Sequence, residues 1–141
     1  RHGLPAEAIV VDVPESLRLI TDRPALLLVV KNLIDNAVKY SNEPIRVDVT
    51  AKVDPRQERP LCLTVSDNGI GIPRRELSKV FHRFYRVDHE KVRTRKGTGL
   101  GLFVVYQLVR NLGGSIRAES DGVGKGSRFV LRLPITATRK V

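Results

Sequence analysis

Apolar residues recur along this chain with two different periods, and the switches between them mark out the elements. Ile9 to Val13 is a short run rich in β-branched residues and predicts a first strand. From Leu26 the apolar positions Leu26, Val29, Val30, Leu33, Ile34, Ala37 and Val38 keep the three-and-four spacing of one helix face. Asp22 can cap that helix. It precedes Arg23-Pro24-Ala25, and proline is tolerated in a first turn, where its missing amide would have no partner anyway. The helix is expected to end near Ser41. Ile45 to Ala51 then alternates, with Ile45, Val47, Val49 and Ala51 set against Arg46, Asp48 and Thr50, the pattern of a strand with one wet face. Asp54 to Pro60 reads as a loop, Leu61 to Ser66 as the next strand, and Asp67-Asn68-Gly69-Ile70-Gly71-Ile72-Pro73 as a tight turn with a short helix after Pro73. Gly97 to Leu102 is a second glycine-rich turn, and Phe103 to Leu112 predicts a helix stopped by Gly113-Gly114. Ser115 to Glu119 and Arg128 to Leu133 predict two last strands joined by a turn from Asp121 to Ser127. This order implies an α/β (α+β) two-layer sandwich, with a mixed, mostly antiparallel sheet of about five strands covered on one face by about three helices.

Length and composition narrow the picture without changing it. The 141 residues, 41% of them apolar, suit one domain with its core over about residues 8–134. The longest uninterrupted apolar stretch, Ala25 to Val30, is far short of the roughly 20 residues that cross a bilayer, so no membrane contact is expected of this segment. The sequence contains no methionine, even at position 1, and is expected to be a piece of a longer product. No charged-then-apolar leader opens it, so a cytoplasmic placement is expected, leaving open a membrane anchor elsewhere in the parent. Cys62, the only cysteine, lies in the apolar run Leu61 to Val65 and is expected to be a small buried thiol. The net charge of +10 raises two targets, a nucleic acid or the phosphates of a nucleotide. Between Arg83 and Lys96, Arg83, Arg86, Lys91, Arg93, Arg95 and Lys96 face only Asp88 and Glu90. That segment sits just ahead of a glycine-rich run, so a nucleotide's phosphates are an equally natural target, and no nucleic-acid partner is expected.

Four segments carry chemistry. Asn32 and Asn36 are four apart on the predicted helix and Lys39 follows three later, so two amide oxygens and an ammonium share one edge. Such a group can hold a metal and a phosphate, since magnesium keeps waters and needs few protein oxygens; a solvated helix face is the alternative. Asp67 ends an apolar strand beside two glycines that let a flat ligand approach. Its carboxylate can accept from the exocyclic amine of adenine and would repel the carbonyl of guanine, although Asp-Asn-Gly also makes ordinary turns. Lys96 to Leu102 has alternating glycines leading into a helix, a cradle for an anion that is neither a Walker loop nor the dinucleotide fingerprint. Phe81-His82-Arg83-Phe84-Tyr85-Arg86 combines aromatics with a charged stretch, as in a hinged lid; packing on the core is the favoured role for the phenylalanines themselves.

Taken in this order, the four segments resemble the asparagine box, first glycine box, phenylalanine box and second glycine box of the nucleotide-binding catalytic domain of sensor histidine kinases. That family lies in the Bergerat-fold ATPase superfamily, which includes gyrase and the heat-shock chaperones. The resemblance covers nearly the whole chain and implies a site for ATP and Mg2+ under a mobile lid. It implies that Asn36 holds the magnesium, that Asn32 and Lys39 lie near the phosphates, and that Tyr40 sits beside the sugar or base. Asp67 would read the adenine amine, Gly69, Gly71 and Ile72 would line the base pocket, and Ser127 would sit near the adenine. Tyr85 and Arg86 would reach in from the lid, and Gly97, Thr98, Gly99, Leu100, Gly101 and Leu102 would wrap the phosphates.

Asn32, Lys39 and Arg86 are then the residues expected to serve catalysis. ATP-hydrolysing relatives are expected to carry a glutamate where Asn32 stands. An amide takes no proton near neutral pH, so the site is expected to hold ATP for a stronger nucleophile than water. The implied acceptor is a histidine on a separate dimerisation domain of the same kinase, with a response regulator as the further partner. His2, His82 and His89 lack that setting and read as bystanders. Two alternatives stay open at this point: a serine kinase with the same nucleotide site, and a binding module without catalysis.

Overall fold

The computed structural model describes residues 8–82 and 101–135. Five strands form one sheet in the order β1-β2-β3-β5-β4: β1 (Ile9–Asp12), β2 (Val47–Val53), β3 (Leu61–Asp67), β4 (Ser115–Glu119) and β5 (Ser127–Leu133). The pair β1 and β2 is parallel and the other three pairs are antiparallel, so the sheet is mixed and mostly antiparallel, as expected. Two α-helices lie among the described residues, α1 (Arg23–Tyr40) and α2 (Gly101–Asn111). The third expected helix, after Pro73, is a single 3-10 turn over Arg74–Glu76. The sandwich stands, with one α-helix fewer among the described residues.

Local chemistry accounts for the helix ends. The Asp22 carboxylate accepts from the Ala25 amide at 3.1 Å, and Pro24 occupies the first turn. At the other end the Ser41 hydroxyl donates to the Ala37 carbonyl at 2.7 Å while its amide donates to Val38. The helix thus closes at Ser41, where the apolar period breaks. The described part of α2 starts at Gly101, two residues before the expected Phe103, and the helix closes through the Gly113 amide on Arg110 and the Gly114 amide on Val109.

Inward positions alternate along every long strand. Val47, Val49 and Ala51 of β2, Leu61, Leu63 and Val65 of β3, and Phe129, Leu131 and Leu133 of β5 bury against Val29, Leu33 and Ala37 of α1 and Val105 and Val109 of α2. Phe81 lies 5.7 Å from the Tyr106 ring and 6.0 Å from that of Phe129, so this phenylalanine packs on the core. The opposite sheet face is mostly polar, with Arg128 bridging to Glu119 at 3.1 Å and Glu119 also held by Arg117 at 2.7 Å. Cys62 corrects one expectation. Leu61 and Leu63 take the inward positions, so the period of two turns Cys62 to the polar face, where it is only half-buried.

Candidate functional site

The alternation that builds the core also explains the most unusual carboxylate. Leu61, Leu63 and Val65 point inward, and Asp67 is the next position of the same parity. Its register partner Ser127 holds the equivalent place ahead of Phe129, Leu131 and Leu133 on β5. A carboxylate and a hydroxyl therefore face each other at the top of the helix-covered side of the sheet. The Ser127 hydroxyl donates to Asp67 Oδ2 at 2.8 Å, and the amides of Gly69 and Ser127 donate to Oδ1 at 2.8 and 3.3 Å. Burial pushes the Asp67 carboxyl above its ordinary range, and the hydrogen bonds from Ser127 and Gly69 offset part of that rise.

Backbone hydrogen bonds bring three distant segments around this pair. The Ile70 amide donates to the Tyr40 carbonyl at 3.1 Å, which joins the turn after β3 to the end of α1. The amides of Gly124 and Gly126 donate to the carbonyls of Ile70 and Gly69 at 2.7 and 3.1 Å, which joins it to the turn between β4 and β5. Glycine is required where these backbones meet. Gly71 has φ +73°, and a Cβ on it would overlap the Gly122 carbonyl; Gly126 has φ +72°, and a Cβ there would overlap the carbonyl of Asp67. Gly69, where a Cβ would overlap the Tyr40 carbonyl, and Gly71 thus serve close backbone packing. Asn68 is structural: its amide donates to the Pro44 carbonyl and its oxygen accepts from the Arg46 amide.

Asn32, Asn36 and Lys39 are all half-buried along one edge of α1. The Asn32 amide nitrogen donates to the Leu28 carbonyl at 2.8 Å, which leaves its second N–H and Oδ1 for a ligand. Asp35, on the same polar stripe, pairs with Lys31 at 2.6 Å. The Lys39 ammonium lies 5.2 Å from the centre of the Tyr40 ring. Among the described residues no cluster of three His, Cys, Asp or Glu could hold a metal. An octahedral cation bound mainly through water and phosphate oxygens needs no such cluster, so a single asparagine oxygen on this edge fits magnesium. Gly101 and Leu102 are the first described residues of α2. Tyr85, Arg86, Gly97, Thr98, Gly99 and Leu100, and with them the expected lid, lie outside the described residues.

Two features escaped the sequence reading. The Tyr40 main chain, and not only its ring, anchors the turn after β3. Ser120 accepts a hydrogen bond from the Ile72 amide at 3.1 Å across 48 positions of sequence. No local pattern signals either contact, although the parity of Leu61, Leu63 and Val65, carried two residues further, would have pointed Asp67 inward.

A family model for the histidine kinase-, DNA gyrase B-, and HSP90-like ATPases matches residues 21–137. Sensor histidine kinase WalK of Bacillus subtilis (strain 168) is 42% identical over 113 residues, which cover 80% of this chain and 18% of WalK. Sensor-like histidine kinase SenX3 of Mycolicibacterium smegmatis is 36% identical over 138 residues, 95% of this chain and 35% of that protein. The chain therefore spans well under half the length of these curated relatives. Among solved structures, the mycobacterial sensor histidine kinase MprB superimposes with a TM-score of 0.70 at 30% identity, over 93% of this chain and 85% of that one. Full-length ShkA in complex with AMPPNP has the same fold, with a TM-score of 0.72 at 24% identity over 94% of this chain and 26% of that one.

Proposed function

We propose a function from one premise: this chain belongs to the histidine kinase-, DNA gyrase B-, and HSP90-like ATPase family. It is the ATP-binding catalytic part of a sensor histidine kinase, which holds Mg-ATP and delivers the γ-phosphoryl group to a histidine on a separate dimerisation domain. The observation that carries this reading is the half-buried Asp67 carboxylate at an inward strand position, enclosed by the end of α1 and two glycine turns. A carboxylate there suits the amino group of adenine. In this reading Gly69, Gly71 and Ile72 line the base, Ser127 orients Asp67, and Tyr40 borders the sugar or base.

Asn36 would hold the magnesium through its side-chain oxygen, and the ion would neutralise phosphate charge. The Asn32 amide and the Lys39 ammonium lie on the same helix edge and bind on the phosphate side, Lys39 by charge and Asn32 through its second N–H. Arg86 and Tyr85 from the lid, with Gly97, Thr98, Gly99, Leu100, Gly101 and Leu102, complete the phosphate contacts. No residue on the α1 edge is a strong base, since an amide stands at Asn32. Water is therefore a poor acceptor here, and an incoming imidazole is the better one. The γ-phosphorus to oxygen bond to ADP breaks as a bond to the imidazole nitrogen forms, and the transferred group then suits a response regulator.

The test mixes this chain with ATP, magnesium and a separately produced histidine-bearing dimerisation domain. Acid-labile, base-stable label on that domain is the expected outcome. Label on serine would favour a serine kinase, and tight ATP binding without transfer would favour a binding module. In the same assay Asn36→Ala should lose the magnesium-dependent part of nucleotide affinity, and an unchanged dependence would remove Asn36 from the metal role.

A further inference from the structure

Ser120 follows β4 directly, and its one hydroxyl joins the 67–72 turn to the 120–126 turn. It accepts from the Ile72 amide at 3.1 Å and from the Gly122 amide at 3.1 Å. Two carbonyls lie within reach of its single proton, Gly126 at 2.6 Å and Gly122 at 3.3 Å, and the nearer one takes it. One donated and two accepted bonds saturate a serine hydroxyl. The bond to Gly122 is what a local serine turn makes, but the bond to Ile72 spans 48 positions and serves no turn.

The Gly126 carbonyl and the Ser127 amide belong to one rigid peptide plane. Ser120 holds that plane by its oxygen, and Asp67 Oδ1 holds it by its N–H at 3.3 Å. The plane's orientation therefore sets where the Asp67 carboxylate and the Ser127 hydroxyl stand. In the 67–72 turn the same hydroxyl fixes the peptide entering Ile72. We propose that Ser120 is a positioning residue for the nucleotide base: a latch between the 120–126 turn and the 67–72 turn that fixes the Asp67 carboxylate for the adenine amine. This rests on the nucleotide reading above and deepens it, since it assigns base selectivity to a hydroxyl that does not touch the base.

Calorimetric titration of the 141-residue chain and its Ser120→Ala variant with ATP and with GTP, magnesium present, tests the role. ATP affinity is expected to fall roughly five- to tenfold, GTP affinity less than about twofold, so the ATP to GTP ratio narrows. Ser120→Thr, which keeps the hydroxyl, should restore the ratio. An unchanged ratio in a folded Ser120→Ala, whether both affinities are kept or both fall together, overturns the proposal. If Ser120→Ala does not fold, Ser120→Cys, with nearly the same volume and weaker hydrogen bonds, is read by the same ratio. Amide exchange at Ile72, measured without nucleotide, separates the latch from the ligand. Protection lost in the variant supports the latch and protection kept overturns it, whereas a wild-type chain that ignores both nucleotides overturns the nucleotide reading and this role with it.

Discussion

Asp67 occupies a strand position that the pleat reserves for an apolar side chain, and its environment follows from that single placement. Burial favours the protonated form, so the carboxyl holds its proton more tightly in the folded chain than in the unfolded one. Its contribution to stability is then fully present below the unfolded pKa and is lost as the pH rises through the folded value. Asp67→Asn cannot ionise. The melting temperature of that variant, measured against the wild type, should gain steadily as the pH is raised from below the ordinary aspartate value of 3.8. Its ATP to GTP affinity ratio should narrow about tenfold, because an amide offers a donor as well as an acceptor to the base edge. Parallel melting curves at all pH values, or an unaltered ratio, would contradict the role given to this carboxylate. Asp67 and the Asn32–Asn36–Lys39 edge were legible as candidates because residue type and spacing are local facts. The Ser120 contact to Ile72 was not, because nothing within a few residues of either encodes it.

At the scale of elements, the site depends on turns that pack backbone on backbone. Gly124 and Gly126 lie in the same turn with similar positive φ, +79° and +72°, but a Cβ on Gly124 meets nothing within 4 Å, while one on Gly126 overlaps the Asp67 carbonyl. Gly124→Ala should cost about 1–2 kcal/mol from conformation alone. Gly126→Ala should cost at least ~3 kcal/mol, since the β3 terminus must also shift. Urea midpoints of the two variants measure the difference, and equal losses would deny the close approach. Element boundaries were read well where a chemical signal sits at the end, as at Asp22 and Ser41. The short helix expected after Pro73 contracts to one 3-10 turn, since a segment of so few residues does not offset the cost of helix nucleation.

For the whole molecule, one core serves both stability and site geometry, because α1 contributes Val29, Leu33 and Ala37 to the interior and Asn32, Asn36 and Lys39 to the adjacent edge. Leu33 is fully buried between α1 and the sheet, and Leu33→Ala should cost about 2–5 kcal/mol in chemical denaturation. ATP affinity measured well below the variant's melting point should change little, since the removed atoms face away from that edge; a large loss of affinity in the folded variant would show that the edge is not independent of the core packing. The two-layer plan follows from hydrophobic periods of 3.6 and 2, which are properties of a single segment, and so the amino-acid order alone determined the elements, the buried faces and the candidate chemistry. Which strands neighbour each other, the parallel pairing of β1 with β2, and the meeting of Tyr40, Ile70, Ser120 and Gly126 around Asp67 were decided only in three dimensions. Apart from that of the Ser120 hydroxyl with Gly126, those contacts join residues tens of positions apart through main-chain groups that every residue carries alike, so no side-chain pattern distinguishes them before the chain has folded.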